Sequence, residues 1–385
     1  MRSLPHSAAR PRIVLLGCSF AGLEFLRRYS RRVGAFAPGE VTVVDPRAKH
    51  SYIPLAHETA SGVRPPEHLL FDSAAWVASL HAEWITSGAK SLDPAARTVT
   101  LENGRTLAYD RCVIAVGSVP DVPAELDGAA GVIAAKWVPD ALALHQRLRV
   151  LRATGARMMR VIVAGGGITA VEWSAELASA RVEGTRIAVT LIGAAPRLLP
   201  DFDPHIARRA SRVLESLNVE MVFGRRVTGF AGDRALIGAG SAFPGDVLIW
   251  AGGVRANPVL ADFGVPLGQD GRVIVTPRLN VAGCDGLHAI GDAAQIMDES
   301  GAWPTMLRAI EAIWQGATLA RRIAGTYPDD SGPSHRLRPD FWYGLSLGAK
   351  RSAVLRGPRI SEREMYVQLR RGLQWAYYRR FTPRA

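Results

Sequence analysis

Cysteine is scarce in this chain. Cys18, Cys112 and Cys284 are the three among 385 residues, with no C-x-x-C pair and no metal-ligand spacing. That excludes a disulfide framework and makes a reducing, cytoplasmic setting the default. The nine histidines are dispersed, so no metal site is expected. Apolar runs are short, and none approaches the roughly 20 residues that a membrane-spanning helix needs. Lysine stands only at positions 49, 90, 136 and 350, so the net charge of +12 rests almost wholly on arginine. A basic balance suits nucleic acid, an anionic membrane surface or an anionic cofactor, and composition does not choose among them.

What is present is globular. A hydrophobic share of 48% with 21% charged residues fits a folded enzyme, and the length allows two or three domains. Residues 1–11 read as a disordered leader. Leu15-Leu16-Gly17-Cys18 imitates a lipoprotein cleavage site, but the apolar stretch before it is too short for a signal peptide. The same residues read better as the end of a strand. Ile13-Val14-Leu15-Leu16 suits a buried parallel strand, and Gly17-Cys18-Ser19-Phe20-Ala21-Gly22 then makes a G-x-S-x-x-G loop into a helix over 22–32. Such a tight turn aims backbone N–H groups and a helix N-terminus at a pyrophosphate. Asp45, at the end of a second strand from Val41, stands 23 residues beyond Gly22. An acid there accepts a hydrogen bond from an adenosine ribose.

One such loop is a weak signal, but this chain builds it twice. Val161–Ala164 followed by Gly165-Gly166-Gly167-Ile168-Thr169-Ala170 is again strand and G-x-G-x-x-A, before a helix over 171–179. A second strand, Ile187–Ile192, ends at Gly193, again 23 residues beyond the loop. Two dinucleotide sites on one chain follow. Gly193 is the departure, because it lacks the acid that would repel a ribose 2′-phosphate. Arg197 is near enough in sequence to meet such a phosphate, so NADPH stays open beside NADH.

Between and after the loops the reading is coarser. Residues 92–109 suggest a β-hairpin turning at Asn103-Gly104. Tyr109–Ser118 and Asp246–Ala256 read as strands ending in small-residue turns that include Gly117 and Gly253. Gly291-Asp292 reads as the head of a helix, where the aspartate can hold a ribityl chain, and 304–323 as one amphipathic helix. Phe341–Tyr343 and Leu345–Gly348 read as short strands, and Ser361 with Glu364 as a capping box for a last helix. Tyr366, Leu369, Leu373, Ala376 and Tyr377 share one face of that helix, with Arg370, Arg371, Arg379, Arg380 and Arg384 around it. That face fits a bilayer interface, the body of the protein or a homodimer partner equally well.

Taken together, these motifs resemble the flavoproteins with two dinucleotide-binding domains, the pyridine nucleotide-disulfide oxidoreductase superfamily, and within it the type II NADH:quinone dehydrogenases. Gly17, Ser19, Gly22 and Asp45 match the FAD loop and ribose acid. Tyr52-x-Pro54-Leu55 with Ala60-Ser61-Gly62 looks like the segment those enzymes carry by the flavin in place of a redox disulfide. Ala115-Val116-Gly117-Ser118 resembles their A-T-G-S turn, and Gly165 to Glu172 their nicotinamide loop, with Glu172 near the nicotinamide ribose. Trp250–Val254 and Ala289–Ala294 match two further signatures, the latter binding FAD. Their A-x-Q-Q-G helix reads Ala312-Ile313-Trp314-Gln315-Gly316, with Trp314 at the first glutamine.

The resemblance implies an α/β fold of two Rossmann-like domains, the second inserted in the first, plus a small C-terminal α+β region. An FAD-binding domain over 12–120 and 255–325, a NAD(P)H-binding domain over 121–254 and a C-terminal region over 335–385 are expected. The implied activity passes a hydride from NADH or NADPH to FAD and electrons to a quinone. Tyr52, Pro54, Glu172 and Gln315 are the implied catalytic residues. Phe20, Ala21, Gly117, Gly165, Gly167, Ala170, Gly253, Gly291 and Asp292 join the implied cofactor-binding set. A soluble FAD-dependent reductase for a redox protein or biosynthetic substrate is the alternative, and a nucleic-acid-binding flavoprotein is a weaker one. The expected setting is cytoplasmic, with the inner face of the cell membrane as a peripheral option.

Overall fold

The computed structural model describes residues 10–156, 158–182, 184–238, 240–303, 307–325, 327, 331–338 and 342–381. The proposed leader before Arg10, Pro304 to Met306, Phe341 and Arg384 lie outside these residues. The chain folds into two compact units, one of Met1–His50, Asp72–Val119 and Arg255–Leu337, the other of Ser51–Phe71, Pro120–Val254 and Arg338–Ala385. Residues 51–71 and 338–385 thus belong to the same unit as the second loop.

In the first unit the strand Ile13–Leu16 is buried along its whole length, as expected for a parallel strand covered on both faces. It pairs in parallel with Val41–Val44 on one side and Arg111–Ile114 on the other. Glu83–Ile85 and Leu287–Ala289 complete a five-stranded parallel sheet, ordered 287–289, 111–114, 13–16, 41–44, 83–85. The helix Phe20–Val33 makes the crossover, starting two residues earlier than the apolar pattern suggested. Residues 89–108 form three antiparallel strands, Ala89–Asp93, Thr98–Leu101 and Thr106–Ala108, instead of a simple hairpin. Asn103-Gly104 makes only the second of their two turns. The helix Ala309–Ala324 packs on Phe20–Val33, and Gly316 is what lets it come close. A Cβ at Gly316 would stand 2.3 Å from the carbonyl oxygen of Ala21.

The second unit repeats this order. Met159–Ala164 pairs in parallel with Thr185–Gly193 and with Val247–Trp250. The parallel strands of a six-stranded sheet run 132–134, 247–250, 159–164, 185–193, 220–223, with Arg181–Val182 pairing antiparallel to Thr185–Gly193. Its crossover helix is Ile168–Ser179. A three-stranded meander over Val227–Ala231, Arg234–Ile237 and Ser241–Pro244 precedes the Val247–Trp250 strand, as the 89–108 meander precedes Arg111–Ile114 in the first unit. The repeat thus extends well beyond the two loops. Both units are Rossmann-like α/β folds.

The last residues of the second unit depart from expectation. Tyr343–Ser346, Ser352–Arg356 and Arg359–Glu362 form a three-stranded antiparallel sheet, where two short strands were expected. Ser361 belongs to the third strand and caps no helix; its Oγ shares a hydrogen bond with the Tyr366 hydroxyl at 3.2 Å. The final helix runs Met365–Tyr378 with no side-chain cap. Its supposed single face is divided. Tyr377 is buried, while Leu369 and Leu373 are about half exposed, at 49% and 56%.

Candidate functional site

The first loop is held from three sides. Gly17 N donates to Val44 O at 2.8 Å, and Gly17 adopts φ +96°. A Cβ at Gly17 would lie 2.3 Å from Ala115 O, so the turn after the Arg111–Ile114 strand passes directly behind the loop. A Cβ at Gly22 would strike Gly17 O at the same distance. Only glycine fits either position. Ser19 precedes the helix and uses its hydroxyl on His50 Nδ1, 3.1 Å away, while Phe20 meets the His50 ring edge-on at 4.5 Å. Burial, and then the charge of Arg47, push His50 down to about 3, so this imidazole is neutral.

Asp45 is buried at the end of its strand and joined to the loop. Its carboxylate accepts from Cys18 N and from Arg47 N, both at 2.8 Å. Burial, reinforced by the Asp45 charge, raises the Cys18 thiol well above its ordinary value, and burial raises that of Cys112. Neither supplies a thiolate at neutral pH.

Behind the turn, Ser118 Oγ donates to Asp292 at 2.6 Å. Gly291-Asp292, read from the sequence as the head of a helix, heads a single 3₁₀ turn, Gly291–Ala293. Gly291 N donates to Gln315 Oε1 at 2.7 Å, and Gln315 is fully buried. Gly117, at φ +71°, lies in the turn after the Arg111–Ile114 strand. The first unit thus holds the Gly17–Gly22 loop with Phe20 and Ala21, the Asp45 carboxylate on Cys18 N, and the separate Ser118–Asp292 and Gly291–Gln315 bonds. Its two-glycine cradle and buried strand-end carboxylate fit a dinucleotide such as FAD.

The second loop repeats the construction. Gly165 N donates to Ile192 O at 2.9 Å, and a Cβ at Gly165 would lie 2.3 Å from Ala251 O, in the turn that leads to Gly253. Gly167 stands at the helix start and Ala170 is buried in its first turn. This cradle fits a second dinucleotide. Arg197, offered by the sequence as a phosphate ligand, is occupied otherwise. Its guanidinium donates to Leu198, Leu199, Pro200 and Phe202 carbonyls at 2.8–3.2 Å.

The second unit also holds a cluster that sequence reasoning missed. Glu172 Oε1 accepts from Arg370 Nη2 and from Ser346 N, both at 2.9 Å. Arg370 also donates to Pro54 O at 3.0 Å, which ties the Tyr52–Leu55 turn to the final helix. Tyr52 packs against the Tyr377 and Tyr378 rings at 5.7 and 5.9 Å. Arg371 meets Glu58 at 3.2 Å, Arg64 meets it at 2.8 Å, and Ser61 Oγ donates to Glu176 at 3.1 Å. Arg370 and Arg371 are therefore ion-pair partners and not solvated or headgroup-facing arginines. Burial, then the Glu58 charge, raise Glu176 to about 7, and burial raises Glu172. His57 is buried neutral, its Nε2 without a partner among the described residues. The (i, i+4) spacing of Glu172 and Glu176 on one helix face was the available signal.

Comparison with known proteins agrees with this construction. The profile of the pyridine nucleotide-disulphide oxidoreductase family matches residues 11–316. A type II NADH:quinone oxidoreductase of Staphylococcus saprophyticus is 23% identical over 339 residues, covering 82% of each chain. A demethylphylloquinone reductase of Synechocystis is 27% identical over 312 residues, covering 76% of this chain and 74% of its own. In structure, the NDH2 of Plasmodium falciparum solved with NADH superposes with a TM-score of 0.82 at 16% identity, over 97% of this chain and 96% of its own. The chain belongs to the pyridine nucleotide-disulphide oxidoreductase family, as an oxidoreductase-type flavoprotein near the type II NADH:quinone oxidoreductases.

Proposed function

We propose that this protein is an FAD-dependent NAD(P)H dehydrogenase that delivers electrons to a quinone. The observation that supports it is the duplicated cradle, in which Gly17 and Gly165 each face a carbonyl oxygen 2.3 Å from where a Cβ would be. Bound FAD would supply hydride acceptance, chemistry that no side chain here provides. The Ser19–Gly22 amides at the helix start would hold the FAD pyrophosphate and Asp45 the ribose, and Asp292, held by Ser118, would take the ribityl chain. Gln315 orients the Gly291-Asp292 turn through the Gly291 amide. The Gly165–Ala170 loop holds the nicotinamide nucleotide. Arg370 orients Glu172, which binds the nicotinamide ribose, and Tyr52 and Pro54 shape the neighbouring wall.

Quinone as acceptor draws on the names of the relatives. A peripheral position on an anionic membrane draws on Met365, Leu369, Leu373 and Trp375, which are 49% to 64% exposed along the final helix. Among the described residues no helix is long and apolar enough to cross a membrane. A soluble reductase for a redox protein is the second reading. It draws on Trp314, which stands where the quinone enzymes carry a glutamine.

The test is a spectrum of the purified protein, then anaerobic NADH, NADPH and a short-chain quinone. Flavin bands that bleach with a nicotinamide and return with quinone are the expected result. Bleaching without return moves the acceptor to a protein or pathway substrate. A colourless protein that cannot be reconstituted with FAD overturns the reading.

A further inference from the structure

We propose that the reduced nicotinamide is NADPH, and that Arg225 and Arg226 receive its 2′-phosphate. This rests on the reading that the second unit binds a nicotinamide nucleotide, and it names which one.

The two units give the comparison. Gly17 N bonds to Val44 O and Gly165 N bonds to Ile192 O, so Asp45 and Gly193 occupy equivalent positions one residue beyond. In the first unit that position carries a buried carboxylate. In the second it carries none, and a Cβ at Gly193 would stand 3.1 Å from the Phe223 ring. The ring leaves little space for an acidic side chain. A 2′-phosphate therefore meets no like charge at the strand end, where a carboxylate would exclude it by repulsion.

Absence of an acid permits a phosphate but does not attract one. Attraction needs cations at the same strand end with free donors. Arg197 is disqualified, because its guanidinium is committed to four carbonyls of its own loop. The next strand supplies the alternative. Glu220–Phe223 pairs in parallel with Thr190–Gly193, so both strands end together. Beyond that pairing, Gly224 N donates to Ala195 O at 3.0 Å and Arg225 N to Gly193 O at 3.1 Å. Gly224, at φ +69°, makes the turn that carries the chain out. Arg225 is thereby anchored by its backbone against Gly193, and Arg226 follows it directly in the chain. Both are exposed, and neither side chain makes a hydrogen bond or ion pair among the described residues. Two unneutralised guanidiniums beside a strand end without an acid suit the dianion that distinguishes NADPH from NADH.

The test titrates the purified holoenzyme with 2′,5′-ADP and 5′-AMP, which carry the discriminating group without the reacting ring. Wild type is expected to bind 2′,5′-ADP roughly tenfold or more tightly than 5′-AMP, as a charge-assisted contact of this kind gives. The Arg225→Ala/Arg226→Ala double variant is expected to bring the two affinities together. Both positions are exposed, and an unchanged thermal midpoint checks that the variant is folded. Equal affinities in wild type, or a preference for 5′-AMP, overturn the proposal. So does a 2′-phosphate preference that survives the double substitution. Anaerobic flavin bleaching by NADH and NADPH separates the two levels. Bleaching by both at equal rates defeats only this proposal, whereas bleaching by neither, with no nucleotide bound, defeats the donor reading as well.

Discussion

Arg370 Nη2 lies 2.9 Å from Glu172 Oε1, and each side chain is only about one-eighth exposed, at 13% and 12%. The two are 198 positions apart, one on the phosphate-loop helix of the second unit and one on the final helix. Removing one partner of a buried pair leaves an uncompensated charge, which costs about 3–5 kcal/mol. Arg370→Met is expected to destabilise the second unit by an amount near the lower end of that range. Adding Glu172→Gln should recover part of the loss, since a neutral amide needs no cation. Denaturant melts of the two single variants and the double variant check this. Strict additivity would mean that the pair contributes nothing.

Glu176 sets a pH dependence. In the folded protein it titrates at about 7, above the ordinary glutamate value of 4.5. Folding therefore favours its protonated form. The resulting stability is fully present below pH 4.5 and is lost as pH rises through 7. At roughly 1.4 kcal/mol per unit, the loss is about 3 kcal/mol. Glu176→Gln removes this contribution, so the variant should gain on wild type steadily between about pH 5 and pH 8. Stability curves of both proteins across that range, subtracted from one another, isolate the effect.

The two cradles separate by substitution. Gly17→Ala forces a Cβ against Ala115 O and should yield protein without bound flavin. Gly165→Ala forces the same clash against Ala251 O. It should keep the yellow flavin spectrum and lose bleaching by reduced nicotinamide. Absorbance spectra before and after anaerobic nicotinamide decide both. A Gly17→Ala protein that purifies fully flavinated would be inconsistent with the assignment of the first loop.

Gln315 acts at a distance through Gly291. Gln315→Leu leaves the Gly291 amide without its acceptor, a loss of about 1–3 kcal/mol. Flavin release is expected to become roughly tenfold easier, read as the dissociation constant of FAD. Gln315→Glu keeps an acceptor at the same place and should restore tight binding. If both variants hold flavin as wild type does, Gln315 does not position this turn.

The loops, their strands and their helices could be read in the sequence because they are local. Each is made by residues within about 25 positions of one another, and turn chemistry with apolar periodicity specifies them without outside help. The same locality made the repeat visible, down to Asp45 and Gly193 at equal spacing. Packing between elements hid the rest. Nothing near Glu172 announces Arg370, 198 positions away, and Gly291 and Gln315, although 24 positions apart, stand on separate elements, so both bonds form only when those elements are packed together. Arg197 shows the reverse case. Its proximity in sequence suggested a phosphate ligand, yet chain folding turned it onto four backbone carbonyls of its own loop. Likewise the final helix carries apolar residues around most of its circumference, so periodicity could not choose its buried side. Its position against Glu58, Glu172 and Tyr52 made that choice, turning Val367, Gln374 and Tyr377 inward and leaving Leu369 and Leu373 outside. The sequence by itself determined the two glycine turns between strand and helix, since their turn chemistry is local, while the Ala115 and Ala251 carbonyls that back them came with the sheets. Only tertiary structure decided which charges neutralise one another, because a buried ion pair depends on which side chains packing brings within hydrogen-bond reach.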